Sequence, residues 1–213
     1  HFLSVKDLQI FTDGGEYYVP RATDNTITPA NVAVLRQTPY GISRTAPLLF
    51  DQASGFVQKN GKSIRELVYS DIEDGYKSTA VSILAEHLID SPKQIAVMKG
   101  NATRPEQYAF FLNNGSSIPG TLAIFHSVRD EKIAGWGLWT TRTNDLFQSI
   151  ISLNEHLVVC VKRQLNGSTV YTLEKFADTD SITLDMKLTT TLNQKGTPLV
   201  QGAGQSGASV TID

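Results

Sequence analysis

Short runs of bulky, β-prone residues recur along most of the chain, and Gly- or Pro-containing turns separate them. We predict a strand at each run, because apolar residues at every second position place one face of a strand against a core. The predicted strands are residues 7–12, 16–19, 32–37, 48–50, 55–58, 63–69, 94–98, 108–112, 121–126, 133–140, 147–153, 156–162 and 169–176. The hydrophobic pattern therefore predicts an all-β protein.

Glycine-containing turns recur between these strands. Gly14, Gly61, Gly115 and Gly167 lie about 50 residues apart, and Asn60-Gly61 is a strong hairpin signal. A period of about 50 residues with about four strands per unit is typical of β-propeller blades. We therefore predict propeller-like, four-stranded antiparallel blades in a partial ring, because rings usually need roughly 4–8 blades and this chain supplies between three and four. A rare small ring is the other way to arrange these blades. Meanders stacked in a β-sandwich are the alternative.

One segment interrupts this rhythm, and it begins with the acidic turn at residues 71–75. We predict one inserted helix over residues 78–89, because apolar residues there follow the i, i+3, i+4, i+7 spacing of a helix face. These residues are Val81, Leu84, Ala85 and Leu88. Ser91-Pro92 is expected to end the helix.

The composition changes near Asp178. Beyond it Thr and Gly dominate, and aromatic residues vanish. We predict blades over residues 1–177, with insertions at 20–46 and 71–92. Residues 178–213 are expected to begin a second β domain or to form a flexible C-terminal segment, with one candidate strand at 184–192.

Composition and charge exclude several classes of protein. The chain has 213 residues and a formal net charge of −2, which leaves no basic footprint for tight nucleic-acid binding. Cys160 is the single cysteine, so no internal disulfide is possible. No signal peptide and no apolar run of about 18 residues is present, so we expect no membrane-spanning segment. His1 in place of an initiator Met makes us expect a piece of a longer protein.

No group of residues in the sequence points to an enzyme. The turn with Asp71, Glu73 and Asp74 lacks the alternating ligands and the final Glu of a calcium loop. Glu86-His87 lacks a second His at i+4, and a Gly-x-Ser-x-Gly elbow is absent. The sequence leaves open a pair of carboxylates for glycoside hydrolysis, because it does not give the distances between carboxyl groups. We predict no catalytic residue, no metal and no cofactor.

Two tryptophans lie close together in the run Gly135-Trp136-Gly137-Leu138-Trp139. The favoured interpretation is a blade-core Trp136, with glycines that allow a neighbour to approach closely. The alternative is a sugar-stacking platform formed by Trp136 or Trp139.

Five motifs carry a resemblance to tail proteins of short-tailed bacteriophages. They are Arg36-Gln37-Thr38-x-Tyr40-Gly41, then Arg65-Glu66-Leu67-x-Tyr69-Ser70 with Glu73-Asp74-Gly75-Tyr76, then Leu84-Ala85-Glu86-His87-Leu88, then Ile133-Ala134-Gly135-Trp136, then Val161-Lys162-Arg163-x-x-Asn166-Gly167 leading to Tyr171-x-Leu173-Glu174-Lys175-Phe176. Over residues 7–192 the chain resembles the tail nozzle family, also called tail tubular protein B or tail stabilisation protein.

The resemblance implies a structural virion protein located in the phage tail. Members of the family carry a β-propeller as one part of a larger subunit, and the subunits assemble as a ring, commonly a hexamer, below the portal and adaptor. The ring retains double-stranded DNA and lets it pass at ejection, without specific binding. The family has no catalytic residues to carry over.

These considerations define the expected partners and contacts. The partners are other copies of the chain and the neighbouring adaptor or portal proteins. The expected assembly contacts are Asp74, Tyr76, Leu84 and Leu88, which lie in or beside the interrupting segment. The alternative function is a carbohydrate- or receptor-binding tail module that uses Trp136 and Trp139.

Overall fold

A computed structural model gives the fold of the chain. It describes residues 1–20, 27–50, 52–100, 106–128, 131, 133–153, 156–165 and 167–176, and the backbone of 186–189 and 209–212. The chain divides into two compact units, His1–Phe176 and Ala177–Asp213. In the second unit β16 (Met186–Thr189) pairs antiparallel with β17 (Ser209–Ile212).

The first unit consists of four antiparallel sheets, each a meander in chain order. The first sheet contains β1 (Phe2–Ser4), β2 (Leu8–Thr12), β3 (Gly15–Val19) and β4 (Leu35–Thr38). The second contains β5 (Leu48–Phe50), β6 (Ala53–Val57), β7 (Ile64–Ser70) and β8 (Gly75–Ala80). The third contains β9 (Gln94–Met98), β10 (Tyr108–Leu112), β11 (Leu122–Val128) and β12 (Ile133–Trp139). The fourth contains β13 (Leu146–Leu153), β14 (His156–Leu165) and β15 (Ser168–Lys175).

Three hydrophobic clusters join neighbouring sheets. Phe11 and Phe56 lie in the cluster shared by the first and second sheets, with ring centroids 5.4 Å apart. Phe50 and Phe125 join the second sheet to the third, with centroids 5.6 Å apart. A third cluster joins the third sheet to the fourth. Successive sheets therefore pack against one another as propeller blades do, and the described residues do not close the ring.

An inner sheet uses both of its faces for this packing. In β10, Phe110 belongs to the cluster with the fourth sheet and the next residue, Phe111, belongs to the cluster with the second. Successive side chains of a strand point to opposite faces, so a strand covered on both faces is apolar throughout. This explains the continuous run of apolar residues in β10.

The repeat predicted from the glycines is confirmed. Gly14, Gly61, Gly115 and Gly167 all lie in the loop that joins the second strand of a sheet to the third. Gly61 and Gly167 have φ of 70° and 77°, in the left-handed region that favours glycine. We call these four connections the inner hairpin loops.

Each linker between sheets is bonded to the inner hairpins on both sides of it. An N–H in the linker, or in the first strand after it, donates to the preceding hairpin, and a linker oxygen accepts an N–H from the following hairpin. At the linker between the first and second sheets, Ile42 N donates to Thr12 O (2.9 Å) and Lys59 N to Gly41 O (2.9 Å). Between the second and third sheets, Ser91 N donates to Gly61 O (2.7 Å) and Gly115 N to Asp90 O (2.9 Å). Between the third and fourth sheets, Phe147 N donates to Gly120 O (2.9 Å) and Gln164 N to Asp145 Oδ1 (2.8 Å).

The helix predicted over residues 78–89 is wrong. The segment begins as the end of β8, where Ser78 pairs with Leu67 in β7, and it continues as a turn. A single 3-10 turn, Glu86–Leu88, follows. Leu84, expected on the buried helix face, is 91% exposed. The apolar spacing is helical, but pairing with β7 stabilises an extended backbone through residue 80.

The two segments interpreted as insertions contain fourth strands. β4 lies within residues 20–46 and β8 within residues 71–92. The sequences of both strands carry few bulky residues. Among the described residues, no helix is long and apolar enough to cross a bilayer.

Candidate assembly surface

A tight turn at residues 81–85 presents two large apolar side chains to solvent. Ile83 is 68% exposed and Leu84 is 91% exposed. The turn itself is firmly held: the buried Ser82 Oγ accepts a hydrogen bond from Ile64 N (2.8 Å), and Ala85 N donates to Ser82 O (2.8 Å). Anchored on this backbone, the Ile83–Leu84 pair forms an apolar projection that is available for a contact.

Leu88, in the 3-10 turn that follows, packs against the protein interior and does not face solvent as Leu84 does. It is half-buried and packs against the cluster between the second and third sheets, next to the fully buried Ile89. Asn113 Nδ2 donates to the Leu88 carbonyl at 2.9 Å. Leu88 thus contributes to packing within the chain, whereas Leu84 faces outward.

Tyr76 is buried between the first and second sheets. Its ring makes edge contacts with Tyr18 (5.2 Å between centroids) and Tyr69 (5.3 Å). Its hydroxyl donates to Asp7 Oδ2 at 3.0 Å. Burial, with a smaller effect of Asp7, raises the pKa of Tyr76 to about 12. The ring therefore serves the contact between the first two sheets.

Asp74 is exposed in the β7–β8 turn and orients Tyr69. Its φ of 46° turns the backbone sharply, and its Oδ1 accepts a hydrogen bond from the Tyr69 hydroxyl at 2.8 Å. That bond is the main cause that raises the pKa of Tyr69 to about 12. The Lys6 ammonium lies 3.4 Å from the centre of the same ring, a cation–π contact.

The outward face of the fourth sheet also presents apolar side chains to solvent. One face of this sheet packs on the third sheet. The opposite face presents Ile151, Val158, Cys160 and Leu173, which share a face by the strand register, and Leu173 is 81% exposed. Contiguous exposed apolar side chains mark interaction surfaces. We call this surface the outer face of the fourth sheet.

Trp136 and Trp139 lie on opposite faces of β12. Trp136 stacks on Phe125 (4.7 Å between centroids) towards the second sheet, and its Nε1 donates to Val81 O at 2.9 Å. Trp139 stacks on Phe176, also at 4.7 Å. Each ring is thus used in packing, and the two do not form one continuous platform. Trp136 is half-buried and packs against the cluster between the second and third sheets.

The glycines beside Trp136 have a different environment from the one expected. A Cβ added at Gly135 or Gly137 would meet no atom of the described structure within 4 Å. The interpretation that these glycines allow a close approach is therefore wrong. Neighbours approach closely at other glycines, among them Gly115, where a Cβ would lie 2.0 Å from the Asp90 carboxyl carbon.

Sequence reasoning missed a buried ionic network in the fourth sheet. Arg163 donates to Asp145 at 3.1 Å and to Glu174 at 2.6 and 2.7 Å, and the Arg163 and Asp145 side chains are 5% and 2% exposed. Paired, hydrogen-bonded charges of this kind are costly to break. The available signal was that Arg163 continues the alternation of Leu157, Val159 and Val161 on the buried face of β14, but its partners are distant in sequence.

A second buried charge lies in the first sheet. Glu16 is fully buried, and the Thr38 hydroxyl donates to its Oε2. Burial raises the pKa of the Glu16 carboxyl above its usual value of 4.5. Within the described part of the chain, no three His, Cys, Asp or Glu side chains are grouped so as to hold a metal ion.

No model of a known protein family matches the chain. No curated protein matches it at a significant level either.

Proposed function

We propose that this chain is a structural component of a bacteriophage tail, part of the nozzle or tube that retains DNA and releases it at ejection. In this proposal the chain lies in the virion and associates with further copies of itself in a ring, commonly a hexamer. The neighbouring adaptor or portal proteins are its other partners. Double-stranded DNA passes without specific binding, and no catalytic group or cofactor takes part.

The observation that carries the proposal is the role of the residues behind the family resemblance. Within the first two motifs, Gln37 Oε1 accepts a hydrogen bond from Tyr76 N at 2.7 Å. The Arg65 guanidinium lies 3.4 Å from the centre of the Tyr40 ring. These contacts join the first sheet and its linker to the second, so motif residues serve packing between blades, as expected of a scaffold protein.

Residues of the fifth motif also serve the packing of the scaffold. Arg163 and Glu174, both motif residues, form the buried pair in the fourth sheet. Leu173 of this motif lies on the outer face of the fourth sheet, and Leu84 of the third motif lies on the apolar projection. Exposed apolar side chains on a rigid scaffold support a role in assembly.

The net charge of the chain is compatible with a conduit for DNA. Phosphate contacts release counterions and make a protein hold DNA. A formal net charge of −2 disfavours such contacts along the chain as a whole, so it would add little friction to DNA passage.

The direct test is to locate the protein in phage particles. Purified virions are labelled with a gold-conjugated antibody against this chain and viewed by electron microscopy, with mass spectrometry of the same particles. We expect peptides of the chain in the particles and gold at the tail. Abundant protein in the infected cell that is absent from purified particles would overturn the proposal.

A further inference from the structure

A pocket of about 790 Å³ opens where the first two inner hairpin loops meet two linkers. Asp13 and Lys59 line it from the hairpins, Arg44 from the linker between the first two sheets, and Ser91 and Lys93 from the linker to the third sheet. A volume of this size is within the range of small-molecule sites. The pocket contains none of the residues of the motifs that support the proposed tail function.

The rim of this pocket is positively charged. Arg44, Lys59 and Lys93 are exposed, and Asp13 is the single acidic residue among the lining residues. Lys59 lies 3.5 Å from Asp13, both largely exposed, while Arg44 and Lys93 have no acidic partner among the described residues. Three cations against one acid stand out in a chain whose formal net charge is −2.

The wall of the pocket is held in place by close contacts. Ser91 has φ of 49°, an uncommon conformation for a residue with a side chain. A Cβ at Gly61 would lie 2.8 Å from Ser91 Oγ, so the two segments meet without spare space. Strained backbone persists where the surrounding structure enforces it, and it often accompanies ligand sites.

The floor is fixed in the same way. The buried Thr45 hydroxyl donates to Pro92 O, which joins the two linkers directly. Fixed walls reduce the ordering cost of binding. The bonds already described from Lys59 N to Gly41 O and from Ser91 N to Gly61 O hold the rim residues' backbone in place.

We propose that this pocket binds a small polyanion through Arg44, Lys59 and Lys93. The ligand class is an organic phosphate or carboxylate, because a guanidinium pairs with an oxyanion in a bidentate manner and ammonium groups add point charges. A duplex would need a basic stripe along an extended surface, whereas these cations surround one pocket. The site stands apart from the proposed tail function.

The test is isothermal titration calorimetry of the full chain with pyrophosphate and, separately, with citrate. We expect binding at low ionic strength that weakens as salt is added, since exposed charges are screened. The double variant Lys59→Ala/Lys93→Ala should lose about tenfold or more in affinity, which is one unit of log Kd. Stronger binding of pyrophosphate indicates a phosphate ligand, and stronger binding of citrate a carboxylate.

Two further variants make the test decisive. Lys77→Ala removes a cation that is paired with Glu73 at 3.2 Å and does not line the pocket, so its affinity should equal that of the unmodified chain. Asp13→Asn removes the one acid of the rim and should tighten binding. The proposal would be overturned if neither pyrophosphate nor citrate binds, or if the double variant and Lys77→Ala bind with equal affinity. Circular dichroism checks that each variant is folded.

Discussion

Gly115 and Asp90 approach each other so closely that a methyl group at position 115 would lie 2.0 Å from the Asp90 carboxyl carbon. The main-chain oxygen of the same aspartate accepts a hydrogen bond from Gly115 N at 2.9 Å. Its carboxylate accepts hydrogen bonds from Lys62 Nζ at 2.7 Å and Ser117 N at 2.9 Å. One residue therefore ties the second sheet to the inner hairpin loop of the third.

Gly115→Ala should destabilise the chain, because the added methyl displaces the Asp90 carboxylate from its partners. The expected loss is about 1–3 kcal/mol of unfolding free energy, as for overpacked interiors, measured by urea denaturation. Gly137→Ala is the matched control: its Cβ meets no described atom within 4 Å, and the change should stay within about 0.5 kcal/mol. Equal effects of the two substitutions would contradict this interpretation.

Asp90 should also make stability depend on pH in the acid range. The hydrogen bond from Lys62, followed by that from Ser117, holds the pKa of Asp90 below its usual value of 3.8. A carboxyl with a lowered folded-state pKa stabilises the fold above the unfolded pKa, and the contribution is lost as pH falls through the folded value. Asp90→Asn should therefore be less stable than the unmodified chain at neutral pH. The difference should shrink below about pH 3.8, and urea denaturation at both pH values measures it.

The contribution of Glu16 to stability should depend on pH in the opposite sense to that of Asp90. Burial raises the pKa of the Glu16 carboxyl above 4.5, so its favourable contribution is present below the unfolded pKa and is lost as pH rises through the folded value. Relative to Glu16→Gln, the unmodified chain should become more stable as pH is lowered from neutral to about 4.5. A free-energy difference between the two proteins that does not change with pH would show that burial does not penalise the ionised form.

The two tryptophans should respond differently to a quencher in solution. Trp139 is 42% exposed, whereas Trp136 is half-buried, stacked on Phe125 and bonded to Val81 O. Iodide should quench the fluorescence of the Trp136→Phe variant, which keeps Trp139, more strongly than that of Trp139→Phe. Trp136→Phe should also lose about 1 kcal/mol of stability with its hydrogen bond. Stronger quenching of Trp136 would place that ring at the surface.

Leu84→Asp separates assembly from folding. Leu84 is 91% exposed, so a carboxylate there should leave the unfolding free energy within about 0.5 kcal/mol, yet it should weaken self-association measured by light scattering coupled to size exclusion. Leu88→Asp is the contrasting variant, because Leu88 packs in the cluster between the second and third sheets and its substitution should reduce stability itself. Unchanged association in Leu84→Asp would remove the apolar projection from the assembly surface.

The strands that the sequence predicts well are those whose own side chains form the core. β9 and β10 have the predicted bounds, and β5 does as well. β8 was missed, because Gly75–Ala80 contains small and polar residues whose extended conformation depends on pairing with β7. Local propensity is weaker than tertiary pairing in such a strand.

The candidate surfaces were only partly predictable from the sequence, because they too depend on tertiary structure. Leu84 and Leu88 lie four residues apart, and helical spacing would place them on one face. The turn at residues 81–85 instead directs Leu84 outward and leaves Leu88 against the core. The outer face of the fourth sheet and the cationic pocket depend on which strands and loops meet, and sequence spacing does not contain that information.

The paired bonds at each linker also bear on how the first unit opens. A sheet with neighbours on both sides cannot separate without breaking two sets of linker bonds and two clusters, whereas the first and fourth sheets are joined at one side each within the described residues. In linear arrays of repeats, stability is a sum of repeat and neighbour terms. Amide hydrogens of β6, β7, β10 and β11 should therefore exchange last with solvent deuterium, and those of β1 and β15 first, so that opening proceeds from the ends towards the middle.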